Sequence, residues 1–255
     1  MVRPPQLLHP RAATRPWLAG AAGAAAALLL LTGGCAISRL RTAAELAEQS
    51  QPFEARPAAP ERRLLIVGDS TAVGTGASSA AASLAGLVAR DRPRWLIVNR
   101  ARDGAKFKDI AAQLDLAERF DLVLVMGGGN DVIRLTSAAQ LRADVQQVLQ
   151  RAAVVAPQVV VMPAGNVGHA PFFFAPVSWW MTARAREMHS TVQHAATAAG
   201  ATYVRLFEEG EDDPFVREAR RMHAADKLHP SDDGYAAWYA ELLRQAPALF
   251  AVAAR

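Results

Sequence analysis

Five short runs of large aliphatic residues with little polar interruption constrain this chain most: 64–67, 95–99, 122–126, 159–162 and 202–206. A strand with one wet face alternates apolar and polar residues, whereas a continuously apolar strand must be covered on both sides. Helical stretches fill the gaps at 79–90, 105–114, 137–154, 182–199 and 231–243. This alternation predicts a parallel sheet coated by helices on both faces, a three-layer α/β/α sandwich. The 137–154 helix carries Leu141, Val145, Val148 and Leu149 on one face, the stripe needed for packing on such a sheet.

At 255 residues, about half of them apolar, the chain is long enough for one well-buried domain plus an appendage. The net charge of +4 owes much to Arg3, Arg11 and Arg15, which stand before residue 35 with no acid among them. The rest is close to neutral, so no nucleic-acid partner is implied. Behind these arginines lies a run of 23 uncharged residues, 16–38, whose centre is almost entirely Ala, Gly and Leu. That length can cross a bilayer, which needs about 20 residues, and a signal peptide fits equally well. The basic flank would leave the N-terminus in the cytoplasm and the rest of the chain on the exported side of the membrane, in the cell envelope. The one cysteine, Cys35, closes Leu31-Thr32-Gly33-Gly34-Cys35, which resembles the lipobox of bacterial lipoproteins, with Thr32 in place of the usual Leu. Cys35 is thus a lipidation candidate, with a small residue in an uncleaved anchor as the other reading. The expected organisation is 1–38 signal peptide or membrane anchor, 39–61 Pro/Ala-rich linker and 62–255 folded domain.

In open α/β sheets chemistry gathers at the C-terminal ends of strands. The first run ends in Gly68-Asp69-Ser70-Thr71, a turn that can aim a hydroxyl into a cleft while a following helix offers N–H groups to negative charge. Ser70 is the candidate nucleophile, and Asp69 is expected to cap that helix. The second run leads to Gly104, where the backbone can approach a ligand closely. The third leads to Gly127-Gly128-Gly129-Asn130-Asp131, whose Asn130 supplies an amide donor. Ahead of the last helix stands Asp226-Lys227-Leu228-His229, a base three residues from a carboxylate able to orient it. Each segment alone reads better as an ordinary turn, cap or loop. Together they supply the groups that acyl transfer requires.

These four blocks resemble the SGNH hydrolases, the GDSL lipase/esterase family, over roughly residues 62–245. The resemblance implies a flavodoxin-like sandwich of about five parallel strands and ester hydrolysis with no cofactor and no metal. It implies a triad of Ser70, His229 and Asp226, and an oxyanion hole made by the N–H groups of Ser70 and Gly104 with the Asn130 amide. A carbohydrate O-deacetylase acting on acetylated envelope glycan and a non-catalytic binding module of the same fold are the rival readings. A metal cluster of His223, Asp232, Asp233 and His229 is disfavoured, because the Asp-Lys-Leu-His spacing is not a metal-binding one. His169, His189 and His194 are expected to be surface or helix residues. Residues 163–181 read as a loop holding three phenylalanines and two tryptophans. Phe173, Trp179 and Trp180 are candidate contacts for an acyl chain of a lipid or other ester substrate, or for a membrane interface, and a buried corner is the alternative.

Overall fold

The computed structural model describes residues 37–250, and the expectations for most of the 16–38 run and for Cys35 lie outside them. The chain divides after Ser38, and the unit that begins at Arg39 is the one treated below. Its first helix, α1, extends to residue 49.

Five parallel strands follow: β1 (Arg62–Gly68), β2 (Trp95–Asn99), β3 (Leu122–Gly127), β4 (Gln158–Pro163) and β5 (Thr202–Tyr203). Their order is β2-β1-β3-β4-β5. The chain therefore builds outward from β1 first to one side and then to the other, which opens a crevice beyond the C-terminal ends of β1 and β3. Side chains alternate across the sheet as pleating demands. Leu65, Val67, Val123, Val125 and Val161 enter one core with α4 (Phe107–Gln113), α6 (Ala138–Val155) and α7 (Val177–Ala198). Leu64, Ile66, Leu122, Leu124 and Val160 enter the other, against α3 (Leu84–Asp91) and α10 (Asp232–Gln245). The three-layer α/β/α sandwich is the architecture expected. Short helices complete the chain: α2 (Ser70–Val73), α5 (Gly129–Ile133), α8 (Pro214–Arg217) and α9 (Ala219–Met222).

Three local expectations need correction. The helix expected at 79–90 is split at Ser83, whose hydroxyl accepts from Gly86 N–H at 3.2 Å and starts α3 afresh. The strand expected at 202–206 keeps only two residues. Beyond it the Gln245 amide takes the place of a neighbouring peptide, with Oε1 accepting from Arg205 N–H at 2.8 Å and Nε2 donating to Arg205 O at 2.8 Å. The aromatic stretch is a loop only as far as Pro176, because Val177 to Met181 already belong to α7. The 39–61 segment is not free along its length either. Ala55 forms an antiparallel bridge with Ile97, exchanging N–H···O bonds of 3.0 and 2.8 Å on the outer rim of β2.

Candidate active site

The turn after β1 places Ser70 at the start of α2, and the reason is local. Asp69 is the N-cap: its Oδ1 accepts from Thr71 N–H at 2.9 Å and from Thr71 Oγ1 at 2.7 Å. Gly68 is required by space, since a Cβ there would lie 1.9 Å from Met126 O on β3. Gln113 of α4 holds the same residue, accepting from Gly68 N–H at 2.7 Å and donating to Gly68 O at 2.9 Å. Asn99, at the end of β2, donates to Ala72 O at 2.8 Å and accepts from Ala101 N–H at 3.1 Å. Tyr235 O–H donates to Thr75 O at 2.8 Å from α10. The turn that carries Ser70 is thus fixed from β2, α4 and α10 at once.

Asp226 and His229 reach Ser70 from the segment before α10. His229 Nε2 lies 2.8 Å from Ser70 Oγ, and its Nδ1 lies 2.5 Å from Asp226 Oδ2. The other Asp226 oxygen accepts backbone N–H groups of Leu228 and His229, both at 3.0 Å. Burial works against this carboxylate. The bond to His229, its charge and the two backbone N–H groups outweigh that and hold Asp226 below the usual carboxylate range. An acceptor at Nδ1 leaves Nε2 free to take the Ser70 proton, which is the arrangement nucleophilic acyl transfer needs.

Asn130 lies in the first turn of α5 and faces the same cavity as Ser70 and His229. Gly104 turns the chain at φ +74°, and the Arg134 guanidinium comes within 3.0 Å of where its Cβ would be. Gly104 borders a neighbouring cleft with Arg100, Arg102 and Asp103. Next to it, Asp103 accepts from Thr75 Oγ1 at 2.6 Å, which ties this loop to the segment after Ser70. Two further carboxyl groups, Asp69 and Asp131, are buried in the turns that carry Ser70 and Asn130. Asp69 is pushed up to about 6, mainly by burial, against the bonds from Thr71. Asp131 is also raised by burial, and its Oδ2 accepts Phe107 N–H at 3.0 Å.

The cavity beside Ser70 has a volume of about 90 Å³. Ala164, Val167, Leu206, Phe215 and Trp238 give it apolar walls, while Asn166, Asp213 and His223 add polar ones. Nothing in the sequence marks Leu206, Asp213, Phe215 or Trp238 as lining a site: Leu206 reads as the end of an aliphatic run and Trp238 as a helix residue, while Asp213 and Phe215 reach the cavity as the cap and first turn of α8. Behind this wall His169 Nδ1 meets Asp213 Oδ2 at 2.7 Å, and both side chains are largely buried. His169 ends a short 3-10 helix, Val167–His169, with its side chain mostly covered rather than at the surface. His189 is on α7 as expected but buried, with Nε2 donating to Ala164 O at 2.8 Å and Nδ1 accepting from Tyr203 O–H at 2.7 Å. Burial pulls it down to about 4. His194 is exposed on α7.

Phe173, Trp179 and Trp180 do not line this cavity. Phe173 packs partly buried against the core, edge-on to Phe172 with centroids 5.0 Å apart, while both tryptophans point outward from the first turn of α7.

The sequence profile described as GDSL-like Lipase/Acylhydrolase family matches residues 66–237, and the chain belongs to that family. It is accordingly a hydrolase of ester bonds. Solved structures share the fold. A lipase/acylhydrolase from Enterococcus faecalis is 22% identical with a TM-score of 0.57, covering 74% of this chain and 96% of that one. LAE5, an alpha/beta hydrolase enzyme from the metagenome of Lake Arreo, Spain, is 20% identical with a TM-score of 0.57, covering 75% and 97%. A catalytic mutant of Axe2, an acetylxylan esterase from Geobacillus stearothermophilus, is 19% identical with a TM-score of 0.54, covering 74% and 96%. No curated protein matches the chain.

Proposed function

We propose that this chain is an exported, membrane-tethered serine esterase that hydrolyses carboxylic esters through an acyl-enzyme. The observation that carries the reading is the unbroken series Ser70 Oγ, His229 and Asp226, with separations of 2.8 and 2.5 Å. His229 Nε2 takes the hydroxyl proton as Ser70 Oγ bonds to the ester carbonyl carbon. The carbonyl oxygen becomes an oxyanion, held by the N–H groups of Ser70 and Gly104 and the Asn130 amide. Asp226 stabilises the imidazolium and keeps its tautomer. As the C–O bond to the alcohol breaks, Nε2 returns the proton to the departing oxygen. His229 then deprotonates a water that attacks the acyl-enzyme, and collapse of the second oxyanion releases the acid and regenerates Ser70.

Export and tethering rest on the sequence: a basic flank, the uncharged run 16–38, and Cys35 as lipidation candidate. No helix among the described residues is long and apolar enough to cross a membrane.

The test is hydrolysis of p-nitrophenyl esters from acetate to decanoate by the full chain and by Ser70→Ala. Turnover that disappears in the variant supports the serine mechanism, and turnover that survives removes Ser70 from it. A second reading, O-deacetylation of a glycan, is favoured by the cavity itself. Asn166, Asp213 and His223 on its wall offer polar partners to hydroxyls beside a small acyl group. The structural likeness to an acetylxylan esterase adds to that reading. Activity confined to acetate, and higher on acetylated oligosaccharides, would select it.

A further inference from the structure

The aromatic stretch that the sequence marks out is unused by the cavity, and its exposure is concentrated. Phe174 (56%), Val177 (46%), Trp179 (71%) and Trp180 (50%) all keep about half or more of their surface open within seven residues. Isolated exposed apolar residues are ordinary, whereas two indoles, a phenyl ring and a valine exposed within seven consecutive residues mark an interaction surface.

Three observations indicate the occupant. The patch is joined to the place where the chain enters the domain: Arg39 donates from Nη1 to Pro171 O and Phe172 O, both at 2.8 Å, and its guanidinium stands 4.5 Å from the Phe174 ring centroid. Arg39 directly follows the uncharged run that ends at Ser38. Beside it Leu40 and Arg41 are exposed, so an apolar residue and a second cation adjoin the clamp. Tryptophan with nearby arginine is the composition favoured where hydrocarbon meets headgroups.

We propose that Phe174, Val177, Trp179 and Trp180 form a docking face for the surface of a lipid bilayer, with Arg39 and Arg41 toward its headgroups. This deepens the tethered-esterase reading and rests on it. The same loop is bonded to the catalytic segment, since Phe172 N–H donates to Lys227 O at 2.9 Å between Asp226 and His229, and Ala170 lines the cavity. Docking would therefore hold the site at a fixed height above the membrane, within reach of esters at the lipid–water boundary.

The test uses the full chain carrying Trp17→Phe, incubated with vesicles of phosphatidylglycerol and brominated phosphatidylcholine. Four tryptophans remain, of which Trp95 and Trp238 are buried at 4% and 7% exposure. Emission should be quenched by the brominated lipid, and adding Trp179→Phe and Trp180→Phe should abolish that quenching while the chain still co-sediments with the vesicles. Co-sedimentation with no quenching, or equal fractional quenching in both proteins, overturns the docking face and leaves the tether standing. Failure to co-sediment overturns both. Emission that shifts to the blue with protein concentration in lipid-free detergent would assign the face to a second copy. That result overturns the proposal.

Discussion

Replacing Asp226 by Asn should reduce turnover far more than it reduces stability, because the structure dictates which way the new amide must face. In the native chain one carboxylate oxygen accepts two backbone N–H groups at 3.0 Å, and the other meets His229 Nδ1 at 2.5 Å. Asparagine has a single acceptor oxygen. Turned toward His229, it would leave an NH2 group pressed against two N–H donors, so it must serve the backbone pair and present its NH2 to Nδ1. His229 then adopts the tautomer with its hydrogen on Nε2, pointing at Ser70 Oγ, and cannot accept the serine proton. A wrong-tautomer histidine in such a triad costs about 10⁴ in kcat, which is about 5.5 kcal/mol of transition-state stabilisation. The fold keeps both backbone bonds, so unfolding free energy should fall by no more than about 1–2 kcal/mol, the scale of a charge-assisted bond exchanged for a neutral one. The assay is steady-state hydrolysis of p-nitrophenyl acetate, alongside urea unfolding of the same samples. A variant retaining a tenth or more of wild-type kcat would refute the tautomer argument.

Other residues give sharper separations of chemistry from stability. Asn130→Ala should lower kcat by about 10²–10³, with KM nearly unchanged, and a variant altered only in KM would take the amide out of the oxyanion hole. Gln113→Ala leaves the buried Gly68 N–H without its 2.7 Å acceptor, while Gly68 O keeps the 3.1 Å bond from Arg102 N–H. Urea denaturation should show a loss of about 1–3 kcal/mol, and no loss would mean that the clamp does not hold β1. His189 is pulled down to about 4 by burial, so the folded state stays neutral where the unfolded chain takes up a proton below the ordinary value of 6.5. The unfolded state binds more protons in that window, and stability therefore rises with pH through it. Acidification from pH 7 to 5 should remove about 2 kcal/mol through this residue, and His189→Gln should show correspondingly less acid sensitivity in urea titrations at the two pH values. An unchanged pH dependence would dismiss the assignment.

The sheet and the candidate triad could be read from sequence for different reasons. Strands buried on both faces must be apolar throughout, so β1, β3 and β4 announce themselves over four to six residues. Ser70, Asp226 and His229 lie in short segments whose internal spacing already encodes a cap, a turn and an orienting carboxylate. What escaped was set by distant packing. The strand after Ala201 keeps two residues, and past it a glutamine from the last helix satisfies Arg205. Trp179 and Trp180 suggest a loop to an eye trained on aromatic clusters, yet Pro176 is compatible with a helix entry and the helix begins immediately after it. Gln113, Asn99 and Tyr235 look like any polar residue on a helix or strand end. Their importance follows from the unpaired backbone groups they meet, which only the folded chain displays.

The two side-chain and linker contacts at the sheet margins bear on how this protein behaves in company. A parallel sheet ends in two open rows of peptide groups, each a template for another chain. Ala55 occupies part of the row on β2 through its exchange with Ile97, and the Gln245 amide occupies the row past β5 at Arg205. Each margin is thus covered at one point by a group drawn from outside the five strands. The linker residues ahead of β1 consequently serve as a guard strip as well as a spacer, and truncating the chain past Ala55 would bare the β2 margin to recruitment by neighbouring molecules.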